Sequence, residues 1–191
     1  MKILVFSDSH RALGTMYDAI ERLRPDAVIH LGDHLEDAES MESVFSGVDF
    51  YHVPGNCDFF TSAPSSLTIS LDGVRVFLTH GHLFGVKSGL TRLTLEFDGV
   101  RIFMTHGHIY GVKRDLTALT GAAKDAGAQL ALFGHTHRAL LEEQDGLWLM
   151  NPGACGAGRS DFGEIITDEH GGFTCRLRNA EEMEEHDAAL D

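Results

Sequence analysis

Five short apolar runs in this chain each lead into polar residues of the types that bind metal ions. They lie at residues 3–6, 27–31, 50–53, 100–104 and 130–133. Short apolar runs bounded by Gly and Pro are typical of buried strands. Because ligands in open α/β sheets bind at the carboxyl ends of strands, the pattern predicts that five strand ends converge on one metal site.

Amphipathic stretches between these runs predict three helices, at residues 13–24, 36–45 and 112–126. Pro25 and Gly127 follow the first and the third, as is common at helix ends. The alternation of strands and helices up to Phe133 predicts a largely parallel sheet. Close spacing after that point predicts four antiparallel strands, at residues 139–143, 147–151, 162–167 and 173–177, with a turn at Gly171-Gly172.

A tandem duplication occupies the middle of the chain. Residues 68–93 and 94–119 are identical at 16 of 26 positions. The duplication offers two histidines, His80 and His106, for one position in the site. We prefer His106, because its copy continues into a longer helix that can bury more apolar surface. An insertion is also better tolerated in a surface loop than inside a core β–α unit.

Composition limits the class of protein further. A length of 191 residues fits one domain, predicted at residues 1–178, followed by an acidic, flexible tail at 179–191. The net charge of −14 argues against a nucleic-acid duplex as a partner. The sequence has no apolar run long enough to span a bilayer. Its three widely spaced cysteines do not suggest a disulfide framework, so we expect a cytoplasmic protein.

The polar residues after the five runs form an ordered set of motifs. They are Asp8-Ser9-His10, Gly32-Asp33, Gly55-Asn56-Cys57-Asp58, Thr105-His106-Gly107-His108 and Gly134-His135-Thr136-His137. The set resembles the calcineurin-like metallophosphoesterases, and among them the small bacterial and archaeal phosphodiesterases. The resemblance extends from Met1 to about Arg178 and includes Asn151-Pro152-Gly153. It implies a two-sheet αββα sandwich with the helices outside.

The resemblance also implies a role for each ligand residue. Asp8, His10 and His137 would hold one metal ion, and Asn56, His106 and His135 the other. Asp33 would bridge the two ions. Oxygen and imidazole ligands suit Mn²⁺, Ni²⁺, Co²⁺, Fe²⁺ or Zn²⁺, and we expect two ions, with Mn²⁺ preferred. Asn56 and His108 are the predicted catalytic residues, and His108 would either reach the substrate phosphate or orient His106.

Such a site implies hydrolysis of a small phosphodiester by a hydroxide that bridges the two ions. Cys57 stands where many larger relatives have histidine, and cysteine is a poor general acid. We therefore expect a preference for diesters with good leaving groups. Two alternatives stay open: a non-catalytic scaffold of the same fold, and an enzyme inactivated by its duplication. The sequence leaves the oligomeric state open.

Overall fold

The computed structural model describes residues 1–58, 66–71, 74–79, 92–97, 99–156 and 158–181, with the backbone alone at 66–71, 74–79, 92–93 and 97. The helices are α1 (Leu13–Leu23), α2 (Leu35–Val44) and α3 (Thr117–Asp125). The first strands are β1 (Lys2–Phe6), β2 (Ala27–His30), β3 (Asp49–His52), β4 (Ser66–Leu71), β5 (Val74–Thr79) and β6 (Arg92–Phe97). The others are β7 (Val100–Thr105), β8 (Leu130–Leu132), β9 (Leu140–Gln144), β10 (Leu147–Asn151), β11 (Asp161–Thr167) and β12 (Phe173–Asn179).

Two five-stranded sheets form the centre of the fold. The first has the order β12-β11-β1-β2-β3, and the second β6-β7-β8-β10-β9. Strands β1, β2 and β3 are parallel, as are β7, β8 and β10, whereas the remaining strands of both sheets pair antiparallel. The predicted parallel strands are therefore divided between two sheets, each with a parallel part and an antiparallel part.

Successive side chains of each strand point to opposite faces of its sheet, so each sheet packs against the other sheet on one face and against helices on the other. Ile3 and Val5 of β1 point into the core between the sheets, where they join Ile102 of β7. Leu4 and Phe6 point the other way, into a second cluster that includes Met16 and Ile20 of α1. On the outer face of the second sheet, a third cluster contains Phe103 together with Leu119 and Ala123 of α3. This arrangement confirms the predicted two-sheet sandwich with helices outside.

The third helix is shorter than the sequence pattern predicts. It begins at Thr117, not at Val112, and a 3-10 turn at His108–Tyr110 precedes it. Residues 111–114 form a turn instead, in which the backbone N–H groups of Arg114 and Asp115 both donate to the carbonyl oxygen of Gly111. Oδ1 of Asp115 accepts a hydrogen bond from the backbone N–H of Thr117, the first residue of α3, at 3.0 Å. The apolar pattern extends across this turn, which is why it overstates the helix.

The two copies of the duplication form hairpins with the same register. Ser66 pairs with Thr79 in β4–β5, and Arg92 pairs with Thr105 in β6–β7. The second hairpin belongs to the second sheet, whereas the first forms a separate two-stranded sheet. Copy two supplies core residues such as Leu95. His80 of copy one lies outside the described residues.

The last four strands divide between the sheets as two antiparallel pairs. The pair β9–β10 completes the second sheet, where β10 also runs parallel to β8, and the pair β11–β12 completes the first. Gly171 makes the predicted turn before β12 with φ 79°. Most of the predicted tail, from residue 182 onward, lies outside the described residues. Of the helices described, none is long and apolar enough to cross a membrane.

Candidate metal centre

The predicted ligand residues lie where strands of both sheets end. Those from the first sheet follow β1, β2 and β3, and those from the second follow β7 and β8. The residues are Asp8, His10, Asp33 and Asn56 from the first sheet, and His106, His135 and His137 from the second. Contacts across the sheets bring them together, including the backbone N–H of His135, which donates to Oδ2 of Asp8 at 3.1 Å.

One group of four residues has the spacing of a metal site. Asp8, His10, Asp33 and His137 each offer one ligand atom, and these atoms all lie within 4.8 Å of one another. Both carboxylates are buried, and both imidazoles are half-buried. Buried carboxylates beside imidazoles are a typical donor set for a divalent transition metal.

The two oxygens of Asp8 have different surroundings. Oδ2 accepts hydrogen bonds from Oγ of Ser7 at 2.6 Å and from the backbone of His135 at 3.1 Å. Oδ1 is buried and has no hydrogen bond within the described part of the chain. It lies 3.0 Å from Nε2 of His137, but without the angles of a hydrogen bond. A buried carboxylate oxygen in this position needs a cation or a proton, so the group fits a metal ion.

A second group surrounds His106. Its Nε2 lies 3.2 Å from Oδ1 of Asn56, 3.2 Å from Nδ1 of His135 and 3.6 Å from Oδ2 of Asp33. Its Nδ1 lies 2.9 Å from the carbonyl oxygen of Leu31, which only accepts, so Nδ1 carries the proton of the neutral ring. Nε2 of the neutral ring then has a lone pair that faces Oδ1 of Asn56 and Oδ2 of Asp33. That arrangement is repulsive unless Nε2 takes up a proton or binds a cation, and it therefore fits a second metal ion.

Asp33 is common to both groups. Its Oδ1 accepts a hydrogen bond from the backbone N–H of Cys57 at 2.9 Å, while Oδ2 faces His106. Burial opposes its ionisation, but the charge that His106 carries when protonated and the N–H of Cys57 outweigh burial and keep the pKa of Asp33 below its usual value. The carboxylate is therefore ionised at neutral pH and can bind a cation with each oxygen.

Five of the seven ligand residues have a left-handed backbone. The φ angles are 52° at Asp8, 44° at His10, 60° at Asp33, 66° at His135 and 57° at His137. Such angles cost non-glycine residues about 1 kcal/mol or more each and cluster at functional sites. The backbone of the Gly-His-Thr-His motif is therefore not extended: it bends, and the rings of His135 and His137 contact His106 and Asp8 respectively.

The histidines beside the second group are biased toward their neutral forms. Burial, together with His106 and Lys113, lowers the pKa of His135 to about 4. Burial and His106 also lower the pKa of His108, whose ring centroid lies 5.5 Å from that of His106. Nδ1 of His108 is buried and has no hydrogen-bond partner among the described residues. A neutral imidazole is the form that binds a metal or donates one N–H to a substrate.

Asp58, for which the sequence suggested no role, holds two loops of the site in place. Its Oδ2 accepts from the backbone N–H groups of Asp33 at 2.9 Å and Gly55 at 2.7 Å, and its Oδ1 accepts from that of Leu35 at 2.8 Å. One carboxylate therefore ties the loop after β2 to the loop after β3. Its position at the end of the Gly-Asn-Cys-Asp motif was the available signal, but a motif does not reveal which backbone groups a side chain reaches.

A buried polar chain supports the loop after β1. The backbone N–H of Gly32 donates to Nδ1 of His30 at 3.3 Å, and Nε2 of His30 lies 3.1 Å from Oγ of Ser9. Oγ of Ser9 in turn donates to Oδ2 of Asp37 at 2.7 Å. These partners place the proton of the neutral His30 ring on Nε2. Ser9 lies between Asp8 and His10, so the chain of hydrogen bonds positions both.

Comparisons with known proteins agree with this geometry. The family model described as the calcineurin-like phosphoesterase superfamily domain matches residues 1–97 and 86–168. The two matches overlap at residues 86–97, where the two copies of the duplication join. A probable metallophosphoesterase, YsnB of Bacillus subtilis (strain 168), is 28% identical over 183 residues, which are 93% of this chain and 90% of that protein.

Solved structures share the fold. A novel archaeal phosphodiesterase has a TM-score of 0.61 and 23% identity, over 93% of this chain and 100% of that one. Wild-type Vps29 of Entamoeba histolytica, in complex with Zn²⁺, has a TM-score of 0.61 and 16% identity, over 94% of this chain and 99% of that one. With the family model matching most of its length, the chain belongs to the calcineurin-like phosphoesterase superfamily.

Proposed function

We propose that the protein is a phosphodiesterase that hydrolyses small phosphodiesters and uses two divalent metal ions, with Mn²⁺ preferred. The observation that carries the proposal is the position of Asp33, whose carboxylate belongs to both ligand groups. Asp8, His10 and His137 would complete one metal site, and Asn56, His106 and His135 the other. When bound, two such ions lower the pKa of water and neutralise charge on the phosphoryl oxygens.

The protein side of this site is held in place before any ion binds. Ser7 fixes one oxygen of Asp8, and the backbone of Cys57 fixes one oxygen of Asp33. The carbonyl of Leu31 fixes the ring of His106. Because Asp8, Asp33 and His106 are each oriented by such a hydrogen bond, these three ligands need little reorganisation when charge develops in the transition state.

We expect Asn56 and His108 to contact the substrate. Asn56 is exposed, and among the described residues its Nδ2 donates only to the thiol of Cys57, a weak acceptor, at 3.4 Å. This amide can therefore donate to a phosphoryl oxygen. His108 is half-buried, and burial lowers its pKa, which favours the neutral ring at pH 7; the single N–H of that ring can donate to the same phosphate.

Cys57 bears on the choice of substrate. Partial desolvation and the neighbouring Asp33 raise the pKa of its thiol. The thiol therefore stays protonated at neutral pH, and it is too weak an acid to assist an alkoxide leaving group effectively. This supports a preference for diesters with good leaving groups over alkyl monoesters.

A non-catalytic scaffold is the second candidate, and the duplication favours it. Hairpin β4–β5 forms a two-stranded sheet apart from the two central sheets. A hairpin of this kind has strand edges that can pair with another chain. The hairpin is not part of either ligand group, so this role would not require the metal centre.

Hydrolysis of bis-p-nitrophenyl phosphate in the presence of Mn²⁺ tests the proposal. We expect Asp33→Asn to lower kcat/KM by roughly 100-fold or more, because both ligand groups lose a charged oxygen. The matched control is Asp125→Asn, which removes a charge from the exposed end of α3. A wild-type protein that binds Mn²⁺, Ni²⁺, Co²⁺, Fe²⁺ or Zn²⁺ without hydrolysing this diester would favour the scaffold.

A further inference from the structure

A cavity of about 650 Å³ lies beside the segment that carries His135 and His137. Thr136, between these two histidines, contributes to its wall. The rest of the wall comes from residues 112–116, which follow the His-Gly-His motif of copy two, and from Phe133 and residues 138–140. Its volume falls within the range of about 300–1,000 Å³ that is usual for small-molecule sites.

The cavity has an apolar part and a cationic part. Val112 and Phe133 are buried, and Leu116 and Leu140 are partly buried. The cationic part consists of Lys113, Arg114 and Arg138, all of them exposed. This combination suits a ligand that has an apolar ring and a negative charge.

Two of the three cations have no counter-ion in the described part of the chain. Asp115 pairs with Nε of Arg114 at 3.2 Å, whereas Lys113 and Arg138 form no ion pair with any described residue. The chain as a whole has 29 acidic and 15 basic residues. In so acidic a protein, two unpaired cations on one cavity wall leave a local positive potential that attracts anions.

Both cations lie near the metal centre. Lys113 lines the same cavity as Thr136, which directly follows His135 in the chain. Arg138 directly follows His137, and its backbone N–H donates to Oγ1 of Thr136 at 3.2 Å. The same Oγ1 accepts from Nδ2 of Asn151 at 3.0 Å, which fixes the backbone from which Arg138 extends.

We propose that this cavity is a subsite for the organic part of the substrate, and that the substrate is a phosphodiester in which one alcohol carries a ring and a second phosphate. The inference rests on the proposed phosphodiesterase function. The scissile phosphate lies at the metal centre, the ring contacts Val112, Leu116 and Phe133, and the second phosphate binds Lys113 and Arg138. A phosphate is favoured over a carboxylate because two cations are available to it.

Two substrates that differ by one phosphate test this subsite. They are the p-nitrophenyl ester of thymidine 5′-phosphate and the same ester with an added 3′-phosphate. Both release p-nitrophenol, so the chemistry at the metal centre is matched. For the wild type we expect kcat/KM to be about tenfold higher with the added phosphate, mainly through KM, and the preference to decline as salt is raised.

The variant Lys113→Gln/Arg138→Gln should reduce this preference to within about twofold of unity. Its kcat/KM for bis-p-nitrophenyl phosphate, which has no second phosphate, should fall less than its kcat/KM for the thymidine ester with the added phosphate. The control is Arg24→Gln/Lys124→Gln, which removes two exposed cations outside the cavity wall and should keep the preference. An unchanged preference in the Lys113 and Arg138 variant would overturn the subsite.

A binding measurement separates this inference from the proposed function. Titration calorimetry with thymidine 3′,5′-bisphosphate in the presence of Mn²⁺ needs no turnover. Tighter binding by the wild type than by Lys113→Gln/Arg138→Gln supports the subsite even if no diester is hydrolysed. Hydrolysis of bis-p-nitrophenyl phosphate without any preference for the added phosphate overturns the subsite and leaves the phosphodiesterase proposal intact.

Discussion

Nδ1 of His106 donates a hydrogen bond to the carbonyl oxygen of Leu31 at 2.9 Å, and 75 residues separate the two in sequence. Leu31 follows β2 in the first sheet and His106 follows β7 in the second, so this bond joins the two sheets at their carboxyl ends. It also fixes the tautomer that presents Nε2 to Asp33 and Asn56. One buried contact therefore both links the sheets and orients a predicted metal ligand.

Replacement of His106 should show which copy of the duplication supplies the metal ligand. We expect His106→Ala to lower kcat/KM for bis-p-nitrophenyl phosphate by roughly 100-fold and to reduce the bound Mn²⁺ per chain, because Nε2 is lost from the second ligand group. His80→Ala, the same change in copy one, is the matched control and should retain both. Loss of activity and metal in His80→Ala, with His106→Ala unaffected, would mean that copy one completes the site.

Deletion of residues 68–93 should preserve the fold and the metal centre. Copy two supplies the buried residues Leu95, Val100, Ile102 and Met104, so the core between the sheets would stay filled. We expect the shortened chain to unfold cooperatively, with Mn²⁺ binding and diesterase activity near those of the full chain. Circular dichroism melting and metal analysis would check this. A shortened chain that cannot fold would make copy one part of the core.

Gly55 is predicted to be indispensable to the position of Asp33. A Cβ at residue 55 would lie 2.1 Å from Oδ1 and 2.4 Å from the backbone N of Asp33. Both atoms are held in place: Oδ1 accepts a hydrogen bond from the backbone N–H of Cys57, and the backbone N–H of Asp33 donates to Asp58. Gly55→Ala should therefore lower the free energy of unfolding by about 2 kcal/mol or more and weaken Mn²⁺ binding.

The control for Gly55 is Gly14→Ala in helix α1. A Cβ there meets nothing within 4 Å, so alanine should leave the free energy of unfolding unchanged or raise it by about 0.5–1 kcal/mol. Urea unfolding of both variants, with and without Mn²⁺, provides the comparison. Equal stability of the two variants would argue against the packing described at Asp33.

The buried His30 should make stability depend on pH. Burial lowers the pKa of His30 from 6.5 to about 4, so between these values the unfolded chain binds a proton that the folded protein excludes. Stability from this group is present above about pH 6.5 and is lost as pH falls toward 4, by up to about 3 kcal/mol. Urea unfolding of metal-free protein at pH 7.5, 5.5 and 4.5 measures the loss.

His30→Gln isolates this contribution, because glutamine keeps an N–H donor for Ser9 and does not titrate. The variant should lose less stability than the wild type between pH 7.5 and 4.5. Any pH dependence that remains comes from other groups, His135 among them, since its pKa is also lowered to about 4. Parallel curves for wild type and His30→Gln would contradict the assignment of the effect to His30.

Much of the fold was predictable because it depends on neighbouring residues. The apolar runs correctly located β1, β2, β3, β7 and β8, and the amphipathic pattern located α1 to within one residue at its end. The order of the motifs identified the family, which the comparisons confirm. The ligand roles of Asp8, His10, Asp33, Asn56, His106, His135 and His137 stay predictions, although the structure brings these residues together.

The start of α3 and the backbone of the last motif could not be predicted in the same way. The apolar pattern begins at Val112, but residues 111–114 form a turn and α3 begins only at Thr117. His135 and His137 adopt left-handed angles that their sequence does not favour. Contacts from other elements, such as the hydrogen bond from His135 to Asp8, stabilise this conformation against its local cost.

The sequence by itself determined which residue types follow each strand, and with them the family and the chemistry of the ligand set. Tertiary structure decided which of these residues meet. Copies one and two carry the same His-Gly-His motif, and the motif alone does not reveal that His106 lies beside Leu31, Asn56 and His135. That placement follows from the pairing of β7 with β8 and the burial of its side chains between the sheets. Such long-range packing depends on the whole chain, whereas strand and helix patterns depend on residues only a few positions apart.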